Sequence, residues 1–203
     1  MAKPEQIILA SGSAARRSML MASGVPFEVL PADINEAQIR RALMGESDYA
    51  EAADVAGVLA MEKALLVSRA HPKAYVIGSD QVLAQGRRMF SKTSSLDEAR
   101  RVLRQLRGST HELVSAVALA RGGDVLWQTF DSAQMTMRNF SDVFLETYLA
   151  QAGNAILKSV GCYELEGFGI QLFERIEGDY FTILGMPLLP LLTELRTRDL
   201  VAA

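Results

Sequence analysis

Two short apolar runs constrain the fold most, Ile7-Ile8-Leu9-Ala10 and Ala74-Tyr75-Val76-Ile77-Gly78. Each is too short for a buried helix, so each reads as a strand inside a sheet. The first passes through small residues, Ser11-Gly12-Ser13, into a helical pattern beginning Ala14-Ala15-Arg16-Arg17, which is a strand, a tight loop and a helix N-terminus. The second follows a long Ala-rich helical pattern from Tyr49 to Ala70 that Pro72 closes. It delivers Ser79-Asp80-Gln81 at the carboxyl end of its strand, the edge of an α/β sheet where ligands bind.

The remaining segments continue this alternation. Phe27-Glu28-Val29-Leu30 reads as a strand ended by Pro31, and Asn35 is placed to cap a polar helix. A hairpin at Gln85-Gly86 returns through Met89-Phe90 to Ser91-Lys92, and Ser95 with Glu98 forms a capping box for a helix to Leu106. Two long strands from His111 to Met137 are split by Gly122-Gly123-Asp124, and Asp142 to Ala152 is helical. Gly161 to Met186 reads as glycine-punctuated β structure, and a leucine-rich helix from Pro187 to Arg198 closes the chain. No linker or repeat interrupts the pattern, so one α/β domain with a mixed sheet over residues 1–203 is expected.

Composition excludes several classes of function. With 21 basic against 24 acidic residues, the chain has no cation surplus to drive general nucleic-acid binding. Cys162 is the only cysteine, which rules out an intramolecular disulfide or a multi-thiolate zinc site and fits a reducing compartment. Met1 to Pro4 and the run after it are too short for a secretion signal or a membrane span, so a cytoplasmic location is expected.

Asp80 is the sharpest chemical candidate, because a carboxylate beside an apolar strand is close to the interior and needs a partner. The hairpin can bring Lys92 back to the same edge, and Glu36 opens a helix nearby. Two carboxylates with several cations at one sheet edge suit phosphoryl chemistry with a divalent metal. Ser11 to Arg17, ahead of a helix, forms an anion site through backbone NH groups and the two arginines. Alone, however, that motif reads more readily as a capped, solvated helix start. His71 and His111 each stand alone and read as surface or strand-end histidines, Cys162 as a buried thiol, and Trp127 and Phe130 as packing residues.

Taken in order, these segments resemble the Maf (septum formation inhibitor) family from the first strand to the last helix. The resemblance rests on Leu9-Ala10-Ser11-Gly12-Ser13 with Arg16, Asp33-Ile34-Asn35-Glu36, Glu62-Lys63-Ala64, Gly78-Ser79-Asp80-Gln81 and Ser91-Lys92. It continues at Gly161 to Gly167 and Leu184-Gly185-Met186-Pro187. It implies two lobes around a cleft, a common homodimeric state, and hydrolysis of nucleoside triphosphates to monophosphate and pyrophosphate with Mg²⁺ or Mn²⁺. By position, Asp80 resembles the family's proton acceptor and, with Glu36, its metal-site carboxylates. Ser11, Ser13, Arg16, Lys63 and Lys92 resemble its phosphate-binding residues, and Ala15, Gln81 and Glu166 the positions that set base preference. The motifs around Gln81 and Glu166 look like the branch acting on 7-methyl-GTP, although that branch often carries Pro-Trp where this chain has Ala14-Ala15. The competing class is a non-catalytic nucleotide-binding regulator of cell division.

Overall fold

The computed structural model describes residues 5–45 and 49–202. The reading of Met1 to Pro4 falls outside them. Strand β1 (Ile7–Leu9) leads through the Ser11–Ser13 loop into helix α1 (Ala14–Ala22), with Ser13 accepting from the Arg16 backbone NH as the N-cap. After β2 (Glu28–Val29), Asn35 caps α2 (Glu36–Met44) by accepting from the Gln38 NH at 3.0 Å. Helix α3 (Ala52–Ala70) then runs to β3 (Tyr75–Gln85), which turns at Gly86 into β4 (Arg88–Phe90). Helix α4 (Leu96–Leu106), the long hairpin β5 (Thr110–Arg121) and β6 (Asp124–Met137), and α5 (Asp142–Ala152) follow. The chain closes with β7 (Phe173–Glu177), the short α6 (Tyr180–Ile183) and α7 (Leu188–Thr197).

The seven strands form one mixed sheet in the order β2-β1-β3-β5-β6-β7, with β4 pairing β3. β1 lies parallel to β2 and β3, while every pairing from β3 onward is antiparallel. This is the expected α/β fold with a mixed sheet and flanking helices. Among the described residues no helix is long and apolar enough to cross a membrane.

Three apolar clusters hold the layers. On one face, α3 packs Ala56, Ala60 and Ala64 against Val76, Val82 and Ala116. These small residues let the helix come close, and at Gly78 a Cβ would stand only 2.1 Å from the Ala60 carbonyl oxygen. On the other face, α1 and α7 cover Ile7, Leu9, Ile77 and Leu119, while α4 and α5 cover Leu83, Leu113 and Met135. Between these last two clusters the same face of β3 and β5 carries Ser79, Gln81 and Ser115, a polar belt where the two lobes part.

Several expectations need correction. Asp80 does not end its strand: β3 continues to Gln85, because β4 and β5 give its second half partners. Gly161 to Met186 is mostly 3-10 turns and irregular chain, with one five-residue strand and one helical turn. Its glycines allow tight turns as readily as strands, so the pattern could not tell the two apart. Ser95 caps α4, but the Glu98 carboxylate returns to the NH and hydroxyl of Ser94 rather than to Ser95. His111 is 1% exposed, a strand-end histidine that is not on the surface, whereas His71 is exposed after α3. Cys162 is buried as expected, Trp127 is half-buried, and Phe130 lies mostly in solvent.

Candidate active site

Strand β1 ends at Leu9 and β4 begins pairing only at Leu83, so the stretch of β3 between them has no strand on that edge. A cleft of about 1480 Å³ opens there and runs between the lobes. Ser11, Ser13, Ala15, Arg16, Glu36, Lys63, Asp80, Gln81, Lys92 and Glu166 all line it. Arg17, the second cation of the α1 loop, is exposed and outside the lining, since adjacent helical positions face different ways.

The unpaired strand edge is capped by a side chain. Arg16 is buried and donates through Nη1 to the Ser79 carbonyl at 3.0 Å and the Ser11 hydroxyl at 3.2 Å, and through Nε to the Gly185 carbonyl at 2.7 Å. Gly185 takes a φ of +106°, and a Cβ there would lie 3.2 Å from Arg16 Nη2. Burial lowers the guanidinium pKa, and the nearby charges of Asp80 and Glu36 offset only part of that shift. These hydrogen bonds use Nε and Nη1 and none uses Nη2.

Side chains alternate along β3, so Asp80 points to the face covered by α3 while Ser79 and Gln81 point to the other. Over Asp80, the Lys63 ammonium donates to Asp80 Oδ1 at 2.5 Å and to Glu36 Oε1 at 2.7 Å. Arg40 Nη2 lies 3.5 Å from Asp80 Oδ2. Lys63 is 8% exposed and Asp80 5%. Lys63 is therefore a buried cation between two carboxylates. The Glu36 carboxyl would be raised by its partial burial, but the Lys63 hydrogen bond and the charges of Lys63, Lys92 and Arg40 hold it below its ordinary value. Lys92 is exposed and also lines the cleft.

The sequence reading missed Arg40, although its place one turn after Glu36 on α2 puts both on the same helix face. It also missed the far wall, where Lys158, Glu164 and Tyr180 join Glu166. Tyr180 is 52% exposed and supplies an aromatic face on a cleft whose Ala15 has none. Behind that wall, His111 Nε2 lies 2.8 Å from the Tyr163 hydroxyl, and Nδ1 is the one buried side-chain polar atom without a partner among the described residues. Burial pushes its pKa down to about 4.

Residues 6–198 match the sequence model of the Maf-like protein family. The chain belongs to the Maf family. It is 51% identical over 191 residues to a nucleoside triphosphate pyrophosphatase of Granulibacter bethesdensis, covering 94% of this chain and 96% of that protein. It is 50% identical over 193 residues to a 7-methyl-GTP pyrophosphatase of Mesorhizobium japonicum, covering 95% and 96%. A nucleoside triphosphate pyrophosphatase of Bradyrhizobium diazoefficiens is 48% identical over 196 residues, covering 97% and 95%. The Maf motifs recognised in the sequence thus meet in one cleft, although they come from positions as far apart as Ser11 and Glu166.

Proposed function

We propose that this cleft hydrolyses nucleoside triphosphates, including non-standard ones, to nucleoside monophosphate and pyrophosphate in a housecleaning role. The observation that carries this reading is the buried Lys63 ammonium held by both Asp80 and Glu36, with Arg16, Arg40 and Lys92 lining the same cleft. A triphosphate brings several negative charges, and four cationic side chains around two carboxylates match it far better than a neutral ligand. The names of the relatives agree with this chemistry, and no feature of the cleft favours the non-catalytic regulator.

In this reading Asp80 takes the proton from water as its oxygen attacks the α-phosphorus, and the bond to the α,β-bridging oxygen breaks toward pyrophosphate. Arg16 Nη2, Lys92 and Arg40 hold the charge that develops on the phosphate oxygens. Lys63 places the Asp80 carboxylate and limits its rotation. Glu36 and Asp80 also fit a divalent ion: both are hard oxygen donors and they already converge on one cation, the Lys63 ammonium. When bound, Mg²⁺ or Mn²⁺ neutralises triphosphate charge and polarises the phosphoryl group. A nucleotide substrate and a single reduced thiol suit the cytoplasm, and a homodimer accords with the family resemblance.

The test supplies a panel of canonical and modified triphosphates with Mg²⁺ and measures pyrophosphate and orthophosphate separately. Pyrophosphate should appear in step with monophosphate and stop in excess chelator. Orthophosphate as the first product would overturn the reading, and full activity in chelator would remove the metal from it.

A further inference from the structure

Side chains alternate along β3, so Val82 and Ala84 stand on the same face as Asp80, and Met89 of β4 is the cross-strand neighbour of Ala84. On this face lies a second cavity, of about 250 Å³. Val55 of α3, Met89, Met44 and the Tyr49 ring give it apolar walls, and Arg40, Arg87 and Ser91 supply its polar groups. Arg40 and Ser91 also line the main cleft, so the two cavities adjoin at these residues. Four residues of strand, about 13 Å, separate Asp80 from Ala84, so the second cavity lies beyond the reacting centre rather than around it.

The charge of this cavity has one sign. Among the described residues no carboxylate lines it, and the nearby Glu51 carboxylate is outside the lining and accepts from the Tyr49 hydroxyl at 2.7 Å. Arg87 is exposed in the turn between β3 and β4, with its guanidinium 4.3 Å from the centre of the Tyr49 ring. It makes no ion pair among the described residues. Stacking on the ring fixes the guanidinium plane and leaves the N–H groups around its edge for an anion's oxygens. The apolar walls thin out water, which strengthens the attraction of both arginines for an anion.

The main cleft gives a phosphate chain a direction. Its opposite wall sets Glu164 and Glu166 against Lys158, a net negative charge, while Arg40 and Lys92 lie on the side where the second cavity adjoins. Resting on the reading of the cleft as a nucleotide pyrophosphatase site, we propose that the second cavity receives a phosphate beyond the γ-phosphate, bound by Arg87, so that nucleoside 5′-tetraphosphates are substrates as well as triphosphates. The chemistry at the α-phosphorus is the same. Water attacks it while Asp80 takes the proton, the bond to the α,β-bridging oxygen breaks, and the electron pair leaves with inorganic tripolyphosphate in place of pyrophosphate.

The experiment compares guanosine 5′-tetraphosphate with GTP, and uridine 5′-tetraphosphate with UTP, in Mg²⁺, following nucleoside monophosphate and the inorganic product. In the wild-type protein each tetraphosphate should match or exceed its triphosphate in kcat/KM. Arg87→Ala should lower kcat/KM for the tetraphosphates about tenfold, through KM, and leave the triphosphates unchanged. Arg88→Ala removes the same charge from the other face of β4, where the guanidinium lies 5.1 Å from the centre of the Phe90 ring, and should move neither. Melting curves check that both variants are folded. Titration calorimetry with inorganic tripolyphosphate and pyrophosphate needs no turnover: tripolyphosphate should bind tighter, and of the two variants Arg87→Ala alone should narrow the difference. Tetraphosphates turned over far less well than triphosphates, or no loss particular to Arg87→Ala, would overturn the proposal even if GTP or UTP releases pyrophosphate. A tripolyphosphate preference that depends on Arg87, with no monophosphate formed from any nucleotide, would instead sink the pyrophosphatase reading and leave the anion site standing.

Discussion

At the β3 end of the cleft, Lys63, Asp80 and Glu36 hold one another from a strand and two helices, Arg16 of α1 is tied to the Ser79 carbonyl beside them, and most of the four are nearly out of solvent. At the opposite wall, Lys158, Glu164 and Glu166 stand exposed on turns. The first end is built before any ligand arrives, so its charges are fixed against each other and a change there disturbs the fold as well as the chemistry. The second end has no such internal ties and can vary with little effect on stability. Substitutions at the two ends should therefore leave different signatures.

The largest effect is expected at Asp80. Asp80→Asn keeps the shape of the side chain but can neither accept the proton nor balance Lys63, so turnover should fall by about 10²- to 10⁴-fold. Glu36 still pairs Lys63 in this variant, so the protein should stay folded with a moderately lower melting temperature. Pyrophosphate release at saturating substrate, read beside a melting curve, checks this. Near-normal turnover in the folded variant would break the distinction between the two ends.

Lys63→Met comes next. It leaves two carboxylates facing each other without the ammonium between them, and removal of one partner from a buried ion pair costs about 3–5 kcal/mol. Urea denaturation should show that loss, together with a sharp fall in turnover. This departs from what the sequence suggests, since a long cationic side chain near a sheet edge reads as a ligand group that the fold could spare. The helical period placed Lys63 on α3, but no sequence pattern shows that Gly78 lets α3 come close enough to bury its ammonium on Asp80.

More generally, what was legible depended on local signals. Asn35 as a cap, the Gly86 hairpin and the β5–β6 pair follow from short-range rules, and the structure has them where those rules put them. The family motifs carried the site residues to one cleft. The far wall was not legible, because the glycines after Gly161 serve turns and strands alike. The hydrogen bonds from Gln81 to Ser115 and Thr182 were equally hidden, since they join distant segments.

Behind the far wall, His111 should make stability pH-dependent. Its folded-state pKa of about 4 lies below the ordinary 6.5, so the unfolded chain takes up the proton first as pH falls. Stability is then full above about 6.5 and is lost progressively as pH drops toward 4, by up to about 3 kcal/mol from this one group. His111→Gln can still bond the Tyr163 hydroxyl but does not titrate, so its unfolding free energy should be flatter across that window. Parallel slopes for the two proteins between pH 6.5 and 4 would show that His111 contributes none of the dependence.

The smallest effect belongs to Glu166, and it tests the exposed end directly. Glu166 lines the cleft but is exposed and makes no ion pair among the described residues, so nothing in the fold depends on its charge. Glu166→Gln should leave the melting temperature unchanged. It replaces one acceptor oxygen with a donor NH₂ at nearly the same volume, which alters what the wall offers a base without altering the space. A hydrogen bond in a partly solvated position contributes about 0.5–1.5 kcal/mol, so the ratio of kcat/KM between guanine and pyrimidine triphosphates should move by a few-fold. The shift should come from KM, because the phosphate end and Asp80 are untouched and chemistry on a bound substrate proceeds as before. A fall in kcat shared equally by all bases would mean that Glu166 acts on the reacting phosphates. The two ends of the cleft would then be one functional unit.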